Sequence, residues 1–413
     1  MQIPAFGTFL ESKPLYYREI DHLRVRDAYD RLRNEICHPD TIHIIGTNGK
    51  GSTGRMIAHL AYEGGGGNYS VGHYSSPHIL RFNERIWLNG IDADDRLLEN
   101  GHRRLFTILG RTMSEALSYF EYSTLLALLL FEECDLVILE AGLGGEFDAT
   151  NVCGKVLSVV TPIGIDHQAF LGDTIEEIAA TKLRSIRKRV LLAPQPYREV
   201  EELARQISEE KGATLYRYIQ QKRRDSHGTL NLFEEEQSSS IEVSLPQTSS
   251  RLLEEIAKSK GWPAYLQENA SIAICALDLL GIDYVIEELR SLDLFGRFYS
   301  LARNIRIDVG HNPLAAQAIV SALEDKVVLI YNSLDDKDYS EVLRILKPKV
   351  KRVEIIPVNS QRGVTMRELE TVLEEQAFAY SEFNGVIDPQ EHYLVFGSFY
   401  TVEAFLESYH ASE

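Results

Sequence analysis

The sequence has few cysteines and no long apolar run. Its four cysteines, Cys37, Cys134, Cys153 and Cys275, lie far apart and form no Cys-x-x-Cys pair. This spacing argues against a zinc site and a disulfide framework, so we expect reduced thiols that serve as packing residues. No stretch approaches the roughly 18 apolar residues of a membrane-spanning helix, and the N-terminus lacks the basic and apolar regions of a secretory signal. We therefore expect a cytoplasmic protein without a membrane partner.

Basic residues are also scarce relative to acidic ones. The chain has 43 lysines and arginines against 61 aspartates and glutamates, which gives a formal net charge of -18 at pH 7. Such a charge repels a phosphate backbone, and no basic run interleaved with aromatics is present, so no nucleic-acid partner is expected. A small anion can still bind, because loop amides, helix N-termini and metal ions set the local field.

Length and pattern together predict two α/β domains. A chain of 413 residues is longer than one hydrophobic core usually supports. Continuous apolar strands alternate with helical stretches, which indicates a mostly parallel sheet covered on both faces. We predict a large P-loop-type, doubly wound α/β domain over residues 1–290, and a smaller C-terminal Rossmann-like α/β domain over residues 291–413.

The individual elements are predicted from apolar periodicity. The predicted strands cover residues 41–45, 69–74, 136–139, 156–160, 190–193, 305–309, 327–331, 353–357 and 393–396. The predicted helices include residues 56–62, part of 97–117, 121–132, 174–186 and 264–280. The stretch 216–250 combines mixed charge with serine clusters and predicts loops or a small irregular sheet.

The strongest local signal is a glycine-rich loop, IIGTNGKGST at residues 44–53, between a predicted strand and a predicted helix. Its glycines let backbone N–H groups close around phosphate oxygens. Lys50 can reach the β- and γ-phosphates, and the Ser52 or Thr53 hydroxyl can bind Mg²⁺. The loop departs from the general G-x-x-x-x-G-K-[ST] pattern, because isoleucine replaces its first glycine and Gly51 separates Lys50 from Ser52. An ordinary glycine-rich turn with a solvated lysine is the alternative.

The loop GTNGKGS resembles that of the Mur ligase superfamily and, within it, the folylpolyglutamate synthase/dihydrofolate synthase family. The similarity extends over about residues 20–405, in separated motifs that follow the family order. GLGG-x-x-DATN and SPH-x-x-x-x-x-ERI are the most specific. The other matching blocks are YFEYST at Tyr119, IGIDHQAFLGDTIEEIA at Ile163, QENA at Gln267, GRF at Gly296, IDVGHNPLAA at Ile307 and DDKD at Asp335.

The resemblance implies an ATP-dependent amide ligase. ATP would phosphorylate a carboxylate to an acyl phosphate, and the amine of glutamate would then displace phosphate. Because carboxylate, ATP and phosphate are all anionic, the reaction depends on cations, and Mg²⁺ at two sites is expected beside the co-substrate ATP. The YFEY and FDATN motifs point to the bifunctional bacterial type, which joins glutamate to dihydropteroate and to folates.

The resemblance also implies roles for the residues at matching positions. The catalytic residues would be Lys50, His167 and Lys182. The metal ligands would be Ser76, Glu140, His167 and Lys182, the last as a carbamate. The ATP-binding residues would be Thr47, Asn48, Gly49, Lys50, Gly51, Ser52, Thr53, Asn269, Arg297, Asp308 and His311. The residues that bind the pteroate substrate would be Asp21, Leu23, Phe120, Glu121 and Asp148.

Simpler structural interpretations exist for several of these residues. They are a solvated carboxylate for Glu140, core packing at a helix start for Phe120, a helix-surface lysine for Lys182 and an Asn-Pro turn for the neighbourhood of His311. Imidazole is also an uncommon ligand of Mg²⁺, so the role of His167 depends on the resemblance.

Two other functions stay open at this point. One is a Mur-type ligase acting on another carboxylate, although SPHILRFNERI favours the folate family. The other is a P-loop nucleotide switch protein that acts through partners, which would not need GIDH, QENA and GHNP together. The expected partners are small molecules, namely dihydropteroate or folate, glutamate and ATP, and we expect the chain to act as a monomer.

Overall fold

A computed structural model of the chain describes residues 3–14, 21, 23–66, 69–220, 231–234 and 240–410. The chain forms two compact units and passes between them more than once. The first unit comprises Met1–Ile163, Ile175–Glu254 and Asn269–Leu292, and the second comprises Gly164–Thr174, Glu255–Glu268 and Asp293–Glu413.

The described strands belong to two sheets. In chain order, they are β1 (Asp40–Ile45), β2 (Val71–Tyr74), β3 (Ile86–Leu88), β4 (Ile91–Asp92), β5 (Leu136–Glu140), β6 (Leu157–Val160), β7 (Arg189–Leu192), β8 (Thr214–Tyr218), β9 (Asn231–Glu234), β10 (Ser240–Ser244), β11 (Tyr299–Ala302), β12 (Ile305–Ile307), β13 (Val327–Tyr331), β14 (Val350–Ile355), β15 (Tyr380–Glu382) and β16 (Tyr393–Phe396).

The described α-helices alternate with these strands. In chain order, they are α1 (Phe6–Glu11), α2 (Arg24–Leu32), α3 (Lys50–Gly64), α4 (Asp95–Ala116), α5 (Tyr119–Leu130), α6 (Gln168–Leu171), α7 (Ile175–Leu183), α8 (Arg198–Lys211), α9 (Gln247–Lys260), α10 (Ala264–Leu280), α11 (Pro313–Ala322), α12 (Tyr339–Leu346), α13 (Met366–Glu375) and α14 (Phe399–His410). Short 3₁₀ helices cover Phe82–Arg85, Ala149–Val152, Ile286–Arg290 and Lys347–Lys349.

The sheet of the first unit has, within the described ranges, ten strands in the order β4-β3-β2-β5-β1-β6-β7-β8-β10-β9. The strands from β2 to β10 in this order run parallel, while β3 and β4 are antiparallel at one edge and β9 is antiparallel at the other. Strands β1, β2, β5 and β6 are almost wholly buried, as expected for apolar strands in a sheet covered on both faces. The predicted doubly wound α/β class is confirmed.

The sheet of the second unit has six strands among the described residues, in the order β11-β12-β16-β13-β14-β15. Only β11 is antiparallel to its neighbour. Strands β13 and β16 coincide with the predicted strands 327–331 and 393–396. The second α/β sheet is therefore also confirmed.

Two expectations need correction. The stretch 216–250 does not build a separate irregular sheet, because β8, β10 and β9 extend the main sheet, although residues 221–230 and 235–239 lie outside the described ranges. The four cysteines are free thiols, but only three of them are buried. Cys37 is exposed and is therefore not a packing residue.

Helix α5 carries two candidate substrate residues in its first turn. The Ser118 hydroxyl accepts a hydrogen bond from the Glu121 N–H at 3.3 Å, and the Glu121 carboxylate accepts one from the Ser118 N–H at 2.7 Å. This reciprocal capping box fixes the start of the helix. Residues 122–129 are buried in a core shared with α1, α2 and α4, as expected for a helix that is apolar all round.

No helix in the described part of the chain is long and apolar enough to cross a membrane.

Gly72 provides a test of packing within the first unit. This residue lies in β2, and a Cβ atom added to it would lie 2.5 Å from the Phe131 ring. We expect Gly72→Ala to lower the free energy of unfolding by ~1–3 kcal/mol, because the buried ring must move. Gly7→Ala is the matched control, since Gly7 lies in α1 with no atom within 4 Å of an added Cβ. Urea unfolding of both variants gives the comparison, and equal stability would contradict the described packing.

Candidate active site

The glycine-rich loop lies between the end of β1 and the start of α3. Gly46 and Gly49 both have positive φ, at 147° and 85°. A Cβ atom would lie 2.0 Å from the Thr161 hydroxyl at Gly46, and 2.8 Å from the Asn269 side-chain oxygen at Gly49. Both positions therefore need glycine, and the backbone that leads to the first turn of α3 is held close to its neighbours.

The neighbours of β1 place this loop at a point where the strand order reverses. β1 lies between β5 and β6, and the backbone N–H groups of Thr47 and Asn48 donate to the Pro162 carbonyl after β6 at 2.9 and 3.2 Å. Ligands of open α/β sheets bind outside the carboxyl ends of strands at such a point. Because these two amides already have an acceptor, any contact of Thr47 or Asn48 with a nucleotide would come from the side chain.

Lys50 and Glu140 face each other at this edge. Lys50, the first residue of α3, donates to the Thr47 carbonyl at 3.1 Å, and its Nζ lies 3.9 Å from Glu140 Oε1. Glu140, the last residue of β5, is only 4% exposed, so the solvated-carboxylate interpretation is wrong. The backbone N–H of Ser76 donates to Glu140 Oε2 at 3.1 Å. Two of the predicted metal ligands, Ser76 and Glu140, are thus adjacent.

The hydroxyls of the first turn of α3 have different surroundings. Ser52 Oγ donates to the Gly49 carbonyl at 3.3 Å and accepts from the Asn269 amide at 2.9 Å. Thr53 Oγ1 is buried and has no hydrogen-bond partner among the described residues. Gly51 is the second residue of the helix, so the insertion that breaks the general loop pattern lies inside α3. Asn269 thereby links α10 to the loop.

The GLGG loop, residues 142–145, contacts two predicted site residues, Phe120 and Lys182. A Cβ on Gly142 would lie 2.5 Å from the Phe120 ring, and a Cβ on Gly145 would lie 2.5 Å from the Lys182 carbonyl. Phe120 is half-buried, and its ring centroid lies 5.9 Å from that of Tyr74. Lys182, in α7, is only 4% exposed. The helix-surface interpretation of Lys182 is therefore wrong, whereas core packing accounts for part of the Phe120 ring.

Asp148 follows the GLGG loop and is buried. Its Oδ2 accepts from the Leu143 N–H at 2.8 Å, and its Oδ1 accepts from the Thr150 N–H at 3.0 Å and the Thr150 hydroxyl at 2.5 Å. Burial raises the pKa of Asp148, although these hydrogen bonds and the charge of Lys182 oppose the rise. The carboxylate thus fixes the conformation of the loop, in addition to any contact with a substrate.

The predicted substrate residues near the N-terminus surround an ion pair. Arg24 binds the two carboxylate oxygens of Glu121 at 3.1 and 3.0 Å. Asp21 accepts hydrogen bonds from the N–H groups of Leu23 and Arg24 at the start of α2. The Leu23 side chain is 62% exposed. The sequence interpretation gave no role to Arg24, and its place in residues 21–25, DHLRV, beside the predicted Asp21 and Leu23, was the only available signal.

In the second unit, the Asp308 carboxylate accepts three hydrogen bonds. They come from the Tyr265 hydroxyl at 2.8 Å, the Phe298 N–H at 2.8 Å and the Gly310 N–H at 2.7 Å. Burial raises the pKa of Asp308, while the Arg297 guanidinium opposes the rise. That guanidinium lies 5.2 Å from the centroid of the Phe399 ring. The charge of Arg297 therefore acts on Asp308, and a shared role of the two residues in ATP binding stays a prediction.

A second group in the same unit centres on the buried Asp166. Lys337 donates to its Oδ1 at 2.7 Å, the Asn312 amide donates to its Oδ2 at 3.1 Å, and His311 Nε2 lies 3.5 Å from Oδ2. Burial alone would raise the pKa of Asp166. The hydrogen bond from His311 and the charges of His311, His167 and Lys337 outweigh burial and hold the pKa well below its ordinary value.

The residues around Asp166 include predicted and unpredicted ones. His167 has a positive φ of 54° and precedes α6. Asn312 caps α11 by accepting from the Ala315 N–H at 2.9 Å, so the interpretation of GHNP as a helix start is confirmed, while His311 also faces Asp166. Lys337 was given no role from the sequence. Its position in the DDKD motif was the signal that could have identified it.

The predicted metal ligands divide between the two units. Ser76, Glu140 and Lys182 belong to the first, and His167 belongs to the second. Among the described residues, no group of three or more His, Cys, Asp or Glu side chains could hold a metal ion. A buried carboxylate, adjacent hydroxyl-bearing residues and the unsatisfied Thr53 hydroxyl are nevertheless oxygen donors of the kind that Mg²⁺ prefers, so the residues of the first unit fit this ion.

Comparison with known proteins identifies relatives along the whole chain, although no family model matches. The chain is 31% identical over 459 aligned residues to the dihydrofolate synthase/folylpolyglutamate synthase of Haemophilus influenzae, covering 98% of both chains. It superposes with a TM-score of 0.79 and 28% identity on Escherichia coli FolC in complex with DHPP and ADP, covering 99% of this chain and 98% of the other.

A third comparison adds a metal-bound neighbour. The bifunctional folylpolyglutamate synthase/dihydrofolate synthase of Yersinia pestis, complexed with AMPPNP and Mn ion, matches with a TM-score of 0.78 and 26% identity, covering 99% of this chain and 100% of the other. Identity above 30% over nearly the full length of both chains establishes common descent with the first of these proteins. The chain belongs to the dihydrofolate synthase/folylpolyglutamate synthase family.

Proposed function

We propose that this protein is an ATP-dependent amide ligase that joins L-glutamate to dihydropteroate and to folates through an acyl phosphate. The observation that carries the proposal is the Lys50 ammonium, 3.9 Å from the buried Glu140 carboxylate, at the carboxyl edge of a parallel sheet. Family membership, and a neighbour described with DHPP and ADP, support the same function. The named relatives are ligases, so neither a Mur-type substrate nor a nucleotide switch gains support.

Phosphate binding is assigned to the loop and the first turn of α3. The first N–H groups of a helix lack intrahelical acceptors, and the helix dipole favours an anion there. Lys50, which donates to the Thr47 carbonyl, would turn to the β- and γ-phosphates. Its charge would then offset the negative charge on the transferring phosphoryl group. This local field explains how a protein with a net charge of -18 binds ATP.

Metal binding is assigned to Glu140, Ser76 and a hydroxyl of the first turn of α3. When bound, Mg²⁺ supplies charge neutralisation between the phosphates and the substrate carboxylate. Glu140 is held for such a role by the Ser76 N–H, which orients one carboxylate oxygen. A neighbour described with Mn ion and AMPPNP supports a divalent cation together with the nucleotide. Two metal sites, with His167 at one of them, remain our proposal.

The pteroate substrate is assigned to the region of Phe120 and the GLGG loop. The half-buried aromatic ring can stack on a pterin, and the exposed Leu23 offers apolar contact near α5. Glu121 and Asp148 already accept hydrogen bonds from protein groups. We therefore assign them mainly to holding the site in shape, with any remaining lone pairs available to the substrate.

In the second unit, Arg297, Asp308 and His311 are assigned to the nucleotide. Arg297 supplies a cation beside the buried Asp308, and His311 lies on the segment that follows Asp308. We propose that the protein acts on small-molecule substrates as a cytoplasmic monomer.

Lys182 is proposed to carry a carbamate. In this reaction the ammonium group first releases one proton. The neutral amine then attacks CO₂, a nitrogen–carbon bond forms as one C=O π bond of CO₂ breaks, and a second proton is released, so a cation becomes an anionic oxygen donor. The buried position of Lys182 beside the GLGG loop supports a role inside the site. The residues after it, Leu183, Arg184 and Ser185, differ from the usual family surroundings, so the modification needs a direct test.

The function is tested by coupled product release. We expect ADP release from ATP and Mg²⁺ to rise when dihydropteroate and glutamate are added together, and mass analysis to show a product one glutamate heavier. Incubation with tetrahydrofolate then shows whether chain extension also occurs. Absence of any stimulation over ATP alone would exclude the ligase, whereas stimulation by a different carboxylate would favour a Mur-type substrate.

Lys50→Ala tests the phosphate loop. We expect kcat/KM for ligation to fall by at least about 100-fold, because a preorganised cation is lost from the transferring phosphoryl group. The fold should be retained, since Lys50 is the first residue of α3 and alanine favours the helical conformation, and circular dichroism checks this. Lys188→Ala, at an exposed lysine outside the loop, is the control. Ligation by Lys50→Ala at the normal rate would contradict the assignment.

Lys182 is tested with labelled bicarbonate. We expect ¹³C-bicarbonate to give a carbamate carbon signal in the unaltered chain that disappears in Lys182→Arg, because guanidinium does not react in this way. Crystals grown with bicarbonate should show density beyond Nζ. A bare amine with CO₂ present would rule the modification out, without affecting the ligase proposal.

A further inference from the structure

Lys155 is half-buried and begins a network of polar side chains that the proposed reaction does not use, whose further members His43, Thr150 and Asp148 are buried. Its Nζ lies 2.8 Å from His43 Nδ1, 2.6 Å from the Asn151 side-chain oxygen and 3.1 Å from the Ser185 carbonyl. These three neighbours accept hydrogen bonds, and an ammonium group has three N–H donors. The three acceptors would use every N–H of an ammonium group, although burial lowers the pKa of Lys155 to about 7.

Two further hydrogen bonds determine which atoms donate and which accept in this network. His43 is fully buried, and its Nε2 lies 2.8 Å from Thr150 Oγ1. The Thr150 hydroxyl donates its single hydrogen to Asp148 Oδ1 at 2.5 Å. Thr150 must then accept from His43, so Nε2 carries the imidazole proton and Nδ1 accepts from Lys155. A single tautomer of His43 satisfies both neighbours.

The two ends of this chain reach two parts of the proposed site. The other oxygen of Asp148 accepts from the Leu143 N–H in the GLGG loop at 2.8 Å. The Ser185 carbonyl, which accepts from Lys155, follows the end of α7, the helix that carries Lys182. Lys155 therefore contacts both the segment that follows the GLGG loop, at Asn151, and the segment that follows α7, at Ser185.

We propose that Lys155 is a positioning residue of the ligation site, which acts through His43 and Thr150 on Asp148 and through Ser185 on the end of α7. The inference rests on the proposed function, because that function makes the GLGG loop part of the substrate site. Lys155 itself touches none of the residues of the phosphate loop in the described hydrogen bonds.

The polar character of this hydrogen-bond network indicates that it orients its side chains as well as packing them. Buried charged and polar groups are costly to desolvate, and well-packed apolar residues often stabilise a core equally well or better. A fully satisfied polar network instead selects one arrangement of its members. Here it fixes one imidazole tautomer and one orientation of the Asp148 carboxylate, whose second oxygen holds the loop.

Kinetics of matched variants test the role. Lys155→Met keeps the length of the side chain without its charge, and Thr150→Val removes the central hydroxyl. We expect each variant to raise KM for dihydropteroate about tenfold, which corresponds to the loss of one charge-assisted hydrogen bond. KM for ATP should stay within about twofold of the value for the unaltered protein. KM for dihydropteroate in the double variant should be no higher than in the more strongly affected single variant, because both changes break the same series of hydrogen bonds.

Lys211→Met is the control. Lys211 is exposed and donates to the Arg184 carbonyl, one residue before Ser185, at 2.6 Å. We expect its KM values to stay unchanged. If Lys155→Met lowers only thermal stability, or raises both KM values equally, or if the effects of Lys155→Met and Thr150→Val multiply in the double variant, Lys155 is merely structural and the proposal is wrong.

A spectroscopic readout separates this inference from the proposed function. In ¹⁵N-histidine-labelled protein, with the signal assigned through His43→Gln, we expect a protonated Nε2 and an unprotonated Nδ1 in His43. The opposite tautomer or an imidazolium would overturn the chain of hydrogen bonds. If the unaltered protein does not ligate glutamate, the proposed function is wrong. If it does ligate glutamate, but the variants change KM for dihydropteroate no more than KM for ATP, only the positioning role is wrong.

Discussion

The structure of the candidate site depends on the parallel alignment of β5, β1 and β6. Because these strands run in the same direction, their carboxyl ends meet at one edge, where the glycine loop, Glu140 and the Pro162 carbonyl lie together. The two positive-φ glycines allow the chain to turn there without a clash. Lys50 and Glu140 come within 3.9 Å of each other as a result. A sheet with another strand order would separate these groups.

Electrostatics within each of the two units are local. The chain has a strong negative net charge, yet the buried carboxylates have specific partners. A backbone N–H donates to Glu140 and the Lys50 ammonium forms an ion pair with it, while Lys337 and Asn312 donate to Asp166. A buried charge without such partners would be costly. Anion binding is therefore decided by the placement of a few donors, and the net charge mainly excludes partners such as nucleic acid.

The same principle changes the interpretation of the pteroate region. Glu121 and Asp148 carry the acidic groups expected to meet the pterin, but their oxygens accept hydrogen bonds from Arg24, from Leu143 and from Thr150. Their first effect is to hold α2, α5 and the GLGG loop in fixed relation within the first unit. Specificity for the substrate would then arise from a rigid surface around Phe120 more than from one acid contact.

The sequence by itself determined the α/β class, most strands and helices, and the place of the glycine-rich loop between a strand and a helix. The spacing of apolar residues reflects the geometry of a helix or a strand, so it can be recognised locally. The glycines that the loop needs can be read directly from the sequence. It also assigned Glu140 to a strand end, which β5 confirms. Several features were decided only by tertiary structure, namely the burial of Lys182, the pairing of Arg24 with Glu121, the group around Asp166 and the chain from Lys155 to Asp148. Each joins residues far apart in sequence, and no local pattern records such a contact, because it depends on which strands become neighbours.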